Sequence, residues 1–208
     1  MVNHPSYSTT FVYGNILIEP DGAGNSQIIH YGGDSGTTSE YRKSTLYLYN
    51  NTIISSRSGN TTLVRLSTND ESAQVFNNIL YNTANGNNFA MIDENGILSL
   101  FNNWMPTNWR DCHCTTNGTV TDLGNNIEGT DPQFTNFATQ DFTLQPSSAV
   151  IDNGTTLLPA VLPENDLLQQ YVIHQNFESK PNESTLDMGA FEYCGINGCN
   201  IVFVNGFE

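Results

Sequence analysis

The chain has 208 residues, of which 38% are hydrophobic and 13% charged, and its formal net charge at neutral pH is −15. This length suits one domain, and the acidic balance argues against nucleic acid as a partner, because a protein that neutralises phosphates needs a basic surface. The charge also disfavours direct binding of an acidic polysaccharide unless a cation such as Ca²⁺ bridges the two, whereas neutral glycans meet no such barrier.

The first ten residues, MVNHPSYSTT, lack the basic start and the apolar run of a signal peptide. No stretch approaches the roughly 18 apolar residues that would span a membrane, so we predict no transmembrane segment. Strand-like sequence begins at Phe11, and we therefore expect the chain to start partway through a longer protein. No pattern indicates an oligomeric state.

An alternating apolar run that passes through an asparagine-rich corner occurs five times before residue 130. The runs are FVYGNILI from Phe11, LYLYNNTII from Leu46, AQVFNNILY from Ala73, LSLFNNWM from Leu98 and DLGNNIEG from Asp122. Their aligned asparagines are Asn15, Asn51, Asn78, Asn103 and Asn126, at spacings of 36, 27, 25 and 23. Such a period with strand chemistry predicts an all-β solenoid, here a right-handed single-stranded parallel β-helix of about five coils over residues 1–130.

The doubled asparagine at these corners has a physical reason. A chain that bends sharply between two strands needs a residue that tolerates the left-handed region, and asparagine does so at low cost. An inward asparagine at the same corner of successive coils can also bond to the asparagines above and below it. A β-sandwich would have strands at a similar density, but it does not predict a corner that returns at this period.

A second strand is predicted between the corners, at residues 26–31, 61–67 and 87–93. The long first spacing contains GGDSGTTSEYRK, residues 32–43, which we interpret as a loop that leaves the solenoid. Loops on rigid scaffolds often carry function.

Four cysteines form two tight pairs, Cys112 with Cys114 and Cys194 with Cys199. An even count fits disulfides and an oxidising compartment. The disulfides could join the two clusters or close the second one. A zinc site formed by Cys112, His113 and Cys114 is the alternative, although adjacent ligands with alternating orientation fit one tetrahedral ion poorly.

The segment after the repeats contains DPQF from Asp131, DFTLQPSSAVIDNG from Asp141 and DMGAFEY from Asp187. These motifs resemble the terminal module of secreted bacterial right-handed parallel β-helix proteins of the pectate-lyase-like superfamily, with a C-terminal module of the choice-of-anchor type. The resemblance covers residues 131–193 and implies a secreted or cell-surface protein. Residues 194–208 are expected to form a tail strand, and their GFE ending resembles tails of exported Gram-negative proteins.

Residues 131–193 are also predicted to cap the solenoid, because its open end would expose apolar core and strand edges. The apolar side chains available for this are Phe134, Phe137, Phe142, Leu144, Val150 and Ile151. A short helix is predicted within residues 164–175. Asp152, Asp187 and Glu192 are expected to hold turns, with a bound cation as the alternative.

Enzymes on this fold need a base near carboxylates for β-elimination or paired carboxylates for hydrolysis. Stacked coils place residues one period apart side by side, so we expect His30 and Arg65 to be neighbours. A face of histidine, arginine and carboxylates could bind a uronate sugar or take a proton from it; the alternative is an ordinary solvated loop and strand face. The candidate catalytic residues are His30, Arg42, Lys43, Arg65 and Asp70, and the candidate substrate-binding residues are Tyr31, Tyr41, Glu71 and Trp109.

The function we expect from the sequence is that of a non-catalytic module for carbohydrate recognition, with a polysaccharide or a cell-surface glycan as partner. One alternative is the C-terminal part of an enzyme, a polysaccharide lyase or a glycoside hydrolase. Another is a structural stalk or adhesin segment. We assign no metal site, and Ca²⁺ is the one cofactor we consider.

Overall fold

The computed structural model describes residues 4–172, 176–181 and 185–195. A single helical turn, α1 (Pro5–Ser8), precedes the strands. The first two repeats contain β1 (Thr10–Tyr13), β2 (Ile16–Glu19), β3 (Gln27–Tyr31), β4 (Ser44–Tyr49), β5 (Thr52–Ser55) and β6 (Thr61–Leu66). The next three contain β7 (Glu71–Phe76), β8 (Ile79–Asn82), β9 (Phe89–Glu94), β10 (Ile97–Phe101), β11 (Trp104–Pro106), β12 (Thr119–Asp122) and β13 (Ile127–Gly129). The later strands are β14 (Phe134–Asn136), β15 (Asp141–Leu144), β16 (Gln169–Val172) and β17 (Asn176–Ser179).

The repeats build three parallel sheets. Their strand orders are β1-β4-β7-β10-β12, β2-β5-β8-β11-β13 and β3-β6-β9. Each of the first three repeats therefore gives one strand to each sheet, and equivalent strands of successive repeats pair in parallel. The fold is all-β with parallel sheets, which confirms that part of the prediction and is compatible with a parallel β-helix. A sandwich of antiparallel sheets would not show this pairing.

Side chains at every second position of the first sheet form the core. Leu48, Val75 and Leu100 lie in register on β4, β7 and β10, and each is fully buried. Two residues earlier, Leu46, Ala73 and Leu98 form a second buried row. Because apolar and polar residues alternate along each strand, the apolar side chains form continuous rows that cross the sheet from one repeat to the next.

The first asparagine of each corner adopts the left-handed conformation. Asn50, Asn77, Asn102 and Asn125 have φ angles between 49° and 58°, and Gly14 takes the same place in the first repeat with φ of 66°. Asparagine tolerates this region better than most residues with a Cβ. The sequence pattern NN therefore marks the bend between the first and second sheets, as predicted.

The second asparagine of each corner belongs to a ladder of hydrogen bonds. The backbone N–H groups of Asn15, Asn51, Asn78 and Asn103 each donate to the Oδ1 of the next asparagine along the ladder, at 3.1, 3.0, 3.0 and 2.9 Å. Their side-chain amides donate to the same oxygens. Asn126 ends the ladder. Each repeat of the sequence thus adds one asparagine to the hydrogen-bonded ladder, and the predicted ladder is confirmed.

An aromatic row follows the same register. Tyr13, Tyr49, Phe76 and Phe101 stack with ring centroids 4.9, 5.1 and 5.0 Å apart. Val161, from the segment after the repeats, packs against the buried rings of this row. Such stacked rings contribute more than their buried area alone.

The segment predicted to cap the solenoid end contacts the corners of successive repeats and so lies along their flank. Asn50 donates through Nδ2 to the Asp187 carbonyl at 3.0 Å, and Asn77 does so to the Thr155 carbonyl at 2.7 Å. The Gly189 N–H donates to the Asn77 carbonyl at 2.7 Å. The first asparagines of the corners are outside the ladder, so their side chains are available to bind this neighbouring segment.

Apolar contacts accompany these bonds. The side chains of Val150 and Met188 pack with Ile54, Ile79 and Trp104, all of which are almost fully buried. Trp104 is therefore a core residue.

Buried ionisable groups hold the turns of this segment. Asp187 accepts hydrogen bonds from the Asp152 N–H at 2.7 Å and the Tyr193 N–H at 2.5 Å, and burial raises its pKa to about 6. Glu192 accepts from the Asp187 N–H at 3.0 Å. The Nζ of Lys180 lies 2.8 Å from the Glu192 Oε2, in ion-pair contact, although the pair lacks hydrogen-bond geometry.

The helix predicted within residues 164–175 is wrong for the described residues 164–172. Turns are followed there by β16, which pairs antiparallel with β17. Leu168 precedes β16 and is exposed, so it does not form the buried stripe that the predicted helix requires. Residues 173–175 and the predicted tail strand from residue 196 onward lie outside the described residues.

Candidate functional site

Several candidate residues meet at the end of β6, where the segment 67–71, a turn and the first residue of β7, approaches the loop 32–43. We call this region the β6 corner. It consists of residues 67–71 and the side chains of His30, Asp34, Lys43, Arg65 and Glu94.

His30 and Arg65 lie side by side on β3 and β6, as the repeat predicts, because the two residues pair in parallel register. The Arg65 guanidinium lies between two carboxylates, with Nη1 2.9 Å from Asp34 Oδ1 and Nη2 2.7 Å from Glu94 Oε1. The hydrogen bond that Arg65 donates to Glu94, together with the nearby negative charges, raises the pKa of the guanidinium. Arg65 is therefore a permanent cation and not a base.

His30 connects a serine to a carboxylate. Its Nε2 lies 2.8 Å from the Ser67 Oγ, and its Nδ1 lies 3.3 Å from the Asp34 Oδ2. With the imidazole proton on Nδ1, the Ser67 hydroxyl donates to Nε2, while Nδ1 and Asp34 are in ion-pair contact without hydrogen-bond geometry. The Gly33 N–H donates to the same Oγ at 3.1 Å. The hydroxyl is thus held by His30 and Gly33, with the Tyr31 carbonyl 3.5 Å away as a third, longer contact.

A glycine makes room for this serine. Gly32 ends the strand beside Ser67, and a Cβ at Gly32 would lie 2.5 Å from the Ser67 Oγ, a distance that Cβ atoms do not show. Its φ of 120° is also a conformation that L side chains rarely adopt. A larger residue here would push the Ser67 side chain out of its place beside His30.

The sequence reasoning missed Ser67 and Glu94. Both could have been found by extending the period that aligned His30 with Arg65, because Leu66 pairs with Tyr31 on one side and with Glu94 on the other. Ser67 is the next residue after this aligned row. The signal was present in the spacing, but strand ends are the least certain part of a strand predicted from sequence.

Lys43 and Asp70 form the other half of the corner. The Lys43 Nζ lies 3.2 Å from Asp70 Oδ2 and 3.4 Å from Glu71 Oε1, and it donates to Thr68 Oγ1 at 3.1 Å. Glu71 is 1% exposed and accepts hydrogen bonds from the Thr68 backbone N–H and hydroxyl. Glu71 therefore stabilises the turn from inside, and its burial leaves no carboxylate oxygen for the substrate-binding role expected from the sequence.

Arg42 and Tyr31 lie apart from this cluster. Arg42 donates through Nη1 to Thr10 Oγ1 at 2.6 Å and lies over the Tyr7 ring. Tyr31 is 3% exposed, and its hydroxyl donates to the Lys43 carbonyl at 2.7 Å. Both residues attach the loop 32–43 to the N-terminal segment. The burial of Tyr31 is at odds with its expected contact with a substrate.

The two remaining aromatic candidates are separated from each other. Tyr41 is partly buried within the loop 32–43, where its hydroxyl accepts from the Gly36 N–H at 3.0 Å. Trp109 follows β11 in the fourth repeat, packs against the core and donates through Nε1 to Glu128 at 3.0 Å. Tyr41 thus borders the β6 corner, and Trp109 does not contribute to it.

The cysteines of the C-x-C motif are joined to each other. Cys112 and Cys114 form a disulfide, a pairing that is not among those predicted from the sequence. The Nε2 of His113 lies 2.9 Å from the Asn88 carbonyl and 3.2 Å from that of Thr61. The zinc alternative therefore does not hold, because the sulfurs are bonded and the imidazole is engaged with backbone carbonyls. Cys194 is also disulfide-bonded.

The fold and the corner define an all-β protein of parallel sheets with a charged, hydrogen-bonded cluster at one sheet end. No family model, curated protein or solved structure matches the chain. Among the residues that the structure describes, no helix has the length and apolar character needed to cross a membrane.

Proposed function

We propose that the chain belongs to a secreted or cell-surface right-handed parallel β-helix of about five coils, and that it binds carbohydrate at the β6 corner. The corner itself carries the proposal, because it groups cationic, anionic and neutral polar side chains that are partly exposed and hold one another in place. The three parallel sheets support the solenoid. The resemblance of residues 131–193 to terminal modules of exported β-helix proteins supports the location.

The chemistry of the corner suits sugar hydroxyls, which both donate and accept hydrogen bonds. Arg65 is a donor, Asp34 and Glu94 are acceptors, and His30 and Ser67 can do either. Their mutual contacts fix the side chains before a ligand arrives, which lowers the entropic cost of binding. The net charge of −15 favours a neutral glycan over a polyuronate.

The β-elimination alternative has less support at this corner. It requires a basic group that can accept a proton from the sugar. Arg65 is held as a cation by two carboxylates, and Lys43 is engaged by Asp70 and Glu71. His30, the remaining base, has its Nε2 directed at the Ser67 hydroxyl and its Nδ1 at Asp34, so neither nitrogen faces a sugar. The arrangement therefore favours recognition of a glycan over its cleavage by a lyase.

Replacing Arg65 with alanine tests the proposal. We expect Arg65→Ala to weaken the binding of a neutral glycan by a factor of about ten or more, because a hydrogen bond to a charged group contributes about 1.5–3 kcal/mol. Calorimetric titration with soluble glucan, mannan, xylan and galactan fragments measures the affinity. Oligogalacturonate with and without Ca²⁺, followed by ultraviolet absorbance, reads out lyase activity in the same samples.

Arg110→Ala is the matched control, since Arg110 is an exposed arginine in a different repeat. It should leave the affinity unchanged. Arg65→Ala should stay folded, because partly exposed ion pairs contribute about 0–1 kcal/mol to stability. Equal affinities of the two variants would contradict binding at the β6 corner. The absence of binding to every glycan would contradict the proposed function and favour a structural segment.

A further inference from the structure

The contacts of His30 match those of a general base in nucleophilic catalysis. Its Nε2 lies 2.8 Å from a hydroxyl oxygen, and its Nδ1 lies 3.3 Å from a carboxylate oxygen on the opposite side of the ring. A nucleophile within reach of a base, and a base oriented by a third group, are the geometric marks of such a site, whatever the order of the residues in the chain.

We propose that Ser67, His30 and Asp34 form a catalytic triad that hydrolyses carboxylic esters. The proposal goes beyond glycan binding, because it assigns a covalent reaction to the corner. Ser67 is the nucleophile, His30 the general base and acid, and Asp34 the group that orients the imidazole. Asp34 also contacts Arg65, and Ser67 also contacts the Gly33 N–H and, at 3.5 Å, the Tyr31 carbonyl, but these contacts leave both His30 nitrogens to Ser67 and Asp34.

The reaction proceeds through an acyl-serine. The Ser67 Oγ bonds to the ester carbonyl carbon while His30 Nε2 takes the hydroxyl proton, and the carbonyl π electrons move to the oxygen. The tetrahedral intermediate then collapses, the bond to the alcohol oxygen breaks, and the alcohol leaves with the proton from His30. Water, deprotonated by His30, attacks the acyl group in the same way and releases the carboxylic acid, which restores the Ser67 hydroxyl.

Neighbouring residues keep the three groups in position. Arg65 binds the second oxygen of the Asp34 carboxylate at 2.9 Å, which turns the first oxygen toward His30. The Gly33 N–H donates to the Ser67 Oγ at 3.1 Å and thereby holds the hydroxyl oxygen in position. Gly32 leaves the space that the Ser67 side chain occupies. Each of these contacts serves a reacting group.

The position of the site indicates the class of substrate. The cluster lies at the surface, with the Asp34 side chain 63% exposed, so it can reach an acyl group carried on a larger molecule. An O-acyl group on a glycan is the ester that the proposed binding function would present, and this identification rests on that function. The triad itself requires only an activated ester.

Hydrolysis of p-nitrophenyl acetate by the full chain tests the triad without any glycan. We expect the rate to fall on the order of 10²–10⁴-fold in Ser67→Ala and in His30→Ala, the range that a positioned general base contributes. A fluorophosphonate probe should form an adduct that peptide mass spectrometry maps to Ser67. Ser72→Ala is the matched control, because Ser72 is a partly buried serine of another sheet that bonds to Thr45.

The outcomes are distinct. Loss of hydrolysis in Ser67→Ala with full activity in Ser72→Ala, together with an adduct at Ser67 in the unaltered chain, supports the triad. Equal rates in the unaltered chain and Ser67→Ala, or no adduct at Ser67, would overturn it. Calorimetry measures glycan binding separately. A failure to bind glycan would therefore contradict the binding function but would not test the triad.

Discussion

Replacing Asn78 with alanine is expected to lower the free energy of unfolding by about 4 kcal/mol, since a buried ladder rung loses all its side-chain bonds at once. Asn78 is fully buried. Its Nδ2 donates to the carbonyls of Leu48 and Phe76 at 2.8 and 2.9 Å and to Asn103 Oδ1 at 3.0 Å, and its Oδ1 accepts from the N–H and side-chain amide of Asn51. Alanine would leave these groups buried without their partner. Urea unfolding followed by circular dichroism measures the loss.

Asn60→Ala is the control for this change, because Asn60 lies in an exposed turn outside the ladder. It should alter the free energy of unfolding by less than about 0.5 kcal/mol. If Asn78→Ala lowered the free energy of unfolding no more than Asn60→Ala does, the ladder would not be a source of stability, and the repeated asparagine would need another explanation.

Replacing Lys180 with methionine is expected to cost about 3–5 kcal/mol, because it leaves a buried carboxylate without its counter-charge. The Lys180 and Glu192 side chains are 2% and 1% exposed, and the charged atoms lie 2.8 Å apart. Methionine keeps most of the apolar stem of lysine and removes only the ammonium group. Chemical denaturation at neutral pH measures the effect.

The double variant Lys180→Met with Glu192→Gln separates the charge effect from packing. It should recover most of the lost stability, because no uncompensated charge remains in the interior. A double variant as unstable as Lys180→Met alone would show that packing or hydrogen bonding of the lysine, rather than the ion pair, stabilises the segment. Arg65→Ala offers a second comparison, since its more exposed ion pairs should contribute little.

The repeat made the parallel sheets predictable from the sequence. The spacing of Asn15, Asn51, Asn78, Asn103 and Asn126 corresponds one for one to the hydrogen bonds between their side chains. The strand after each corner was predictable for the same reason, because a short apolar run between turn residues has few alternatives. Periodicity also predicted that His30 and Arg65 would be neighbours.

The contents of the site were less predictable, because they depend on which side of a strand each side chain occupies. Glu71 carries the same charge as Asp34, yet it is buried and bonds to a backbone N–H, and the buried Tyr31 hydroxyl likewise bonds to a backbone carbonyl. No spacing rule distinguishes such a residue from an exposed one. Ser67 was overlooked because a serine in a turn is common, and its meaning comes from the His30 ring beside it.

The segment after the repeats shows the limit of apolar pattern alone. The run around Leu167, Leu168 and Tyr171 suits a helix stripe by spacing, but in the structure β16 pairs with β17. The position of residues 131–193 along the flank of the repeats could not be predicted from composition. It depends on hydrogen bonds that the side-chain amides of Asn50 and Asn77 donate to this segment.

Disulfide trapping between repeats tests most directly the claim that the repeats stack in parallel and thereby place His30 beside Arg65. Thr45 and Ser72 pair in register on β4 and β7, with side-chain oxygens 3.0 Å apart. The variant Thr45→Cys with Ser72→Cys should form a new disulfide, mapped by mass spectrometry of unreduced peptides. The variant Thr45→Cys with Ile97→Cys should form no such disulfide. Thr45 and Ile97 lie on strands that are separated by β7, so they are about 9–10 Å apart, which is too far for a disulfide. Failure of the first crosslink, or equal yields of both, would contradict the stacking.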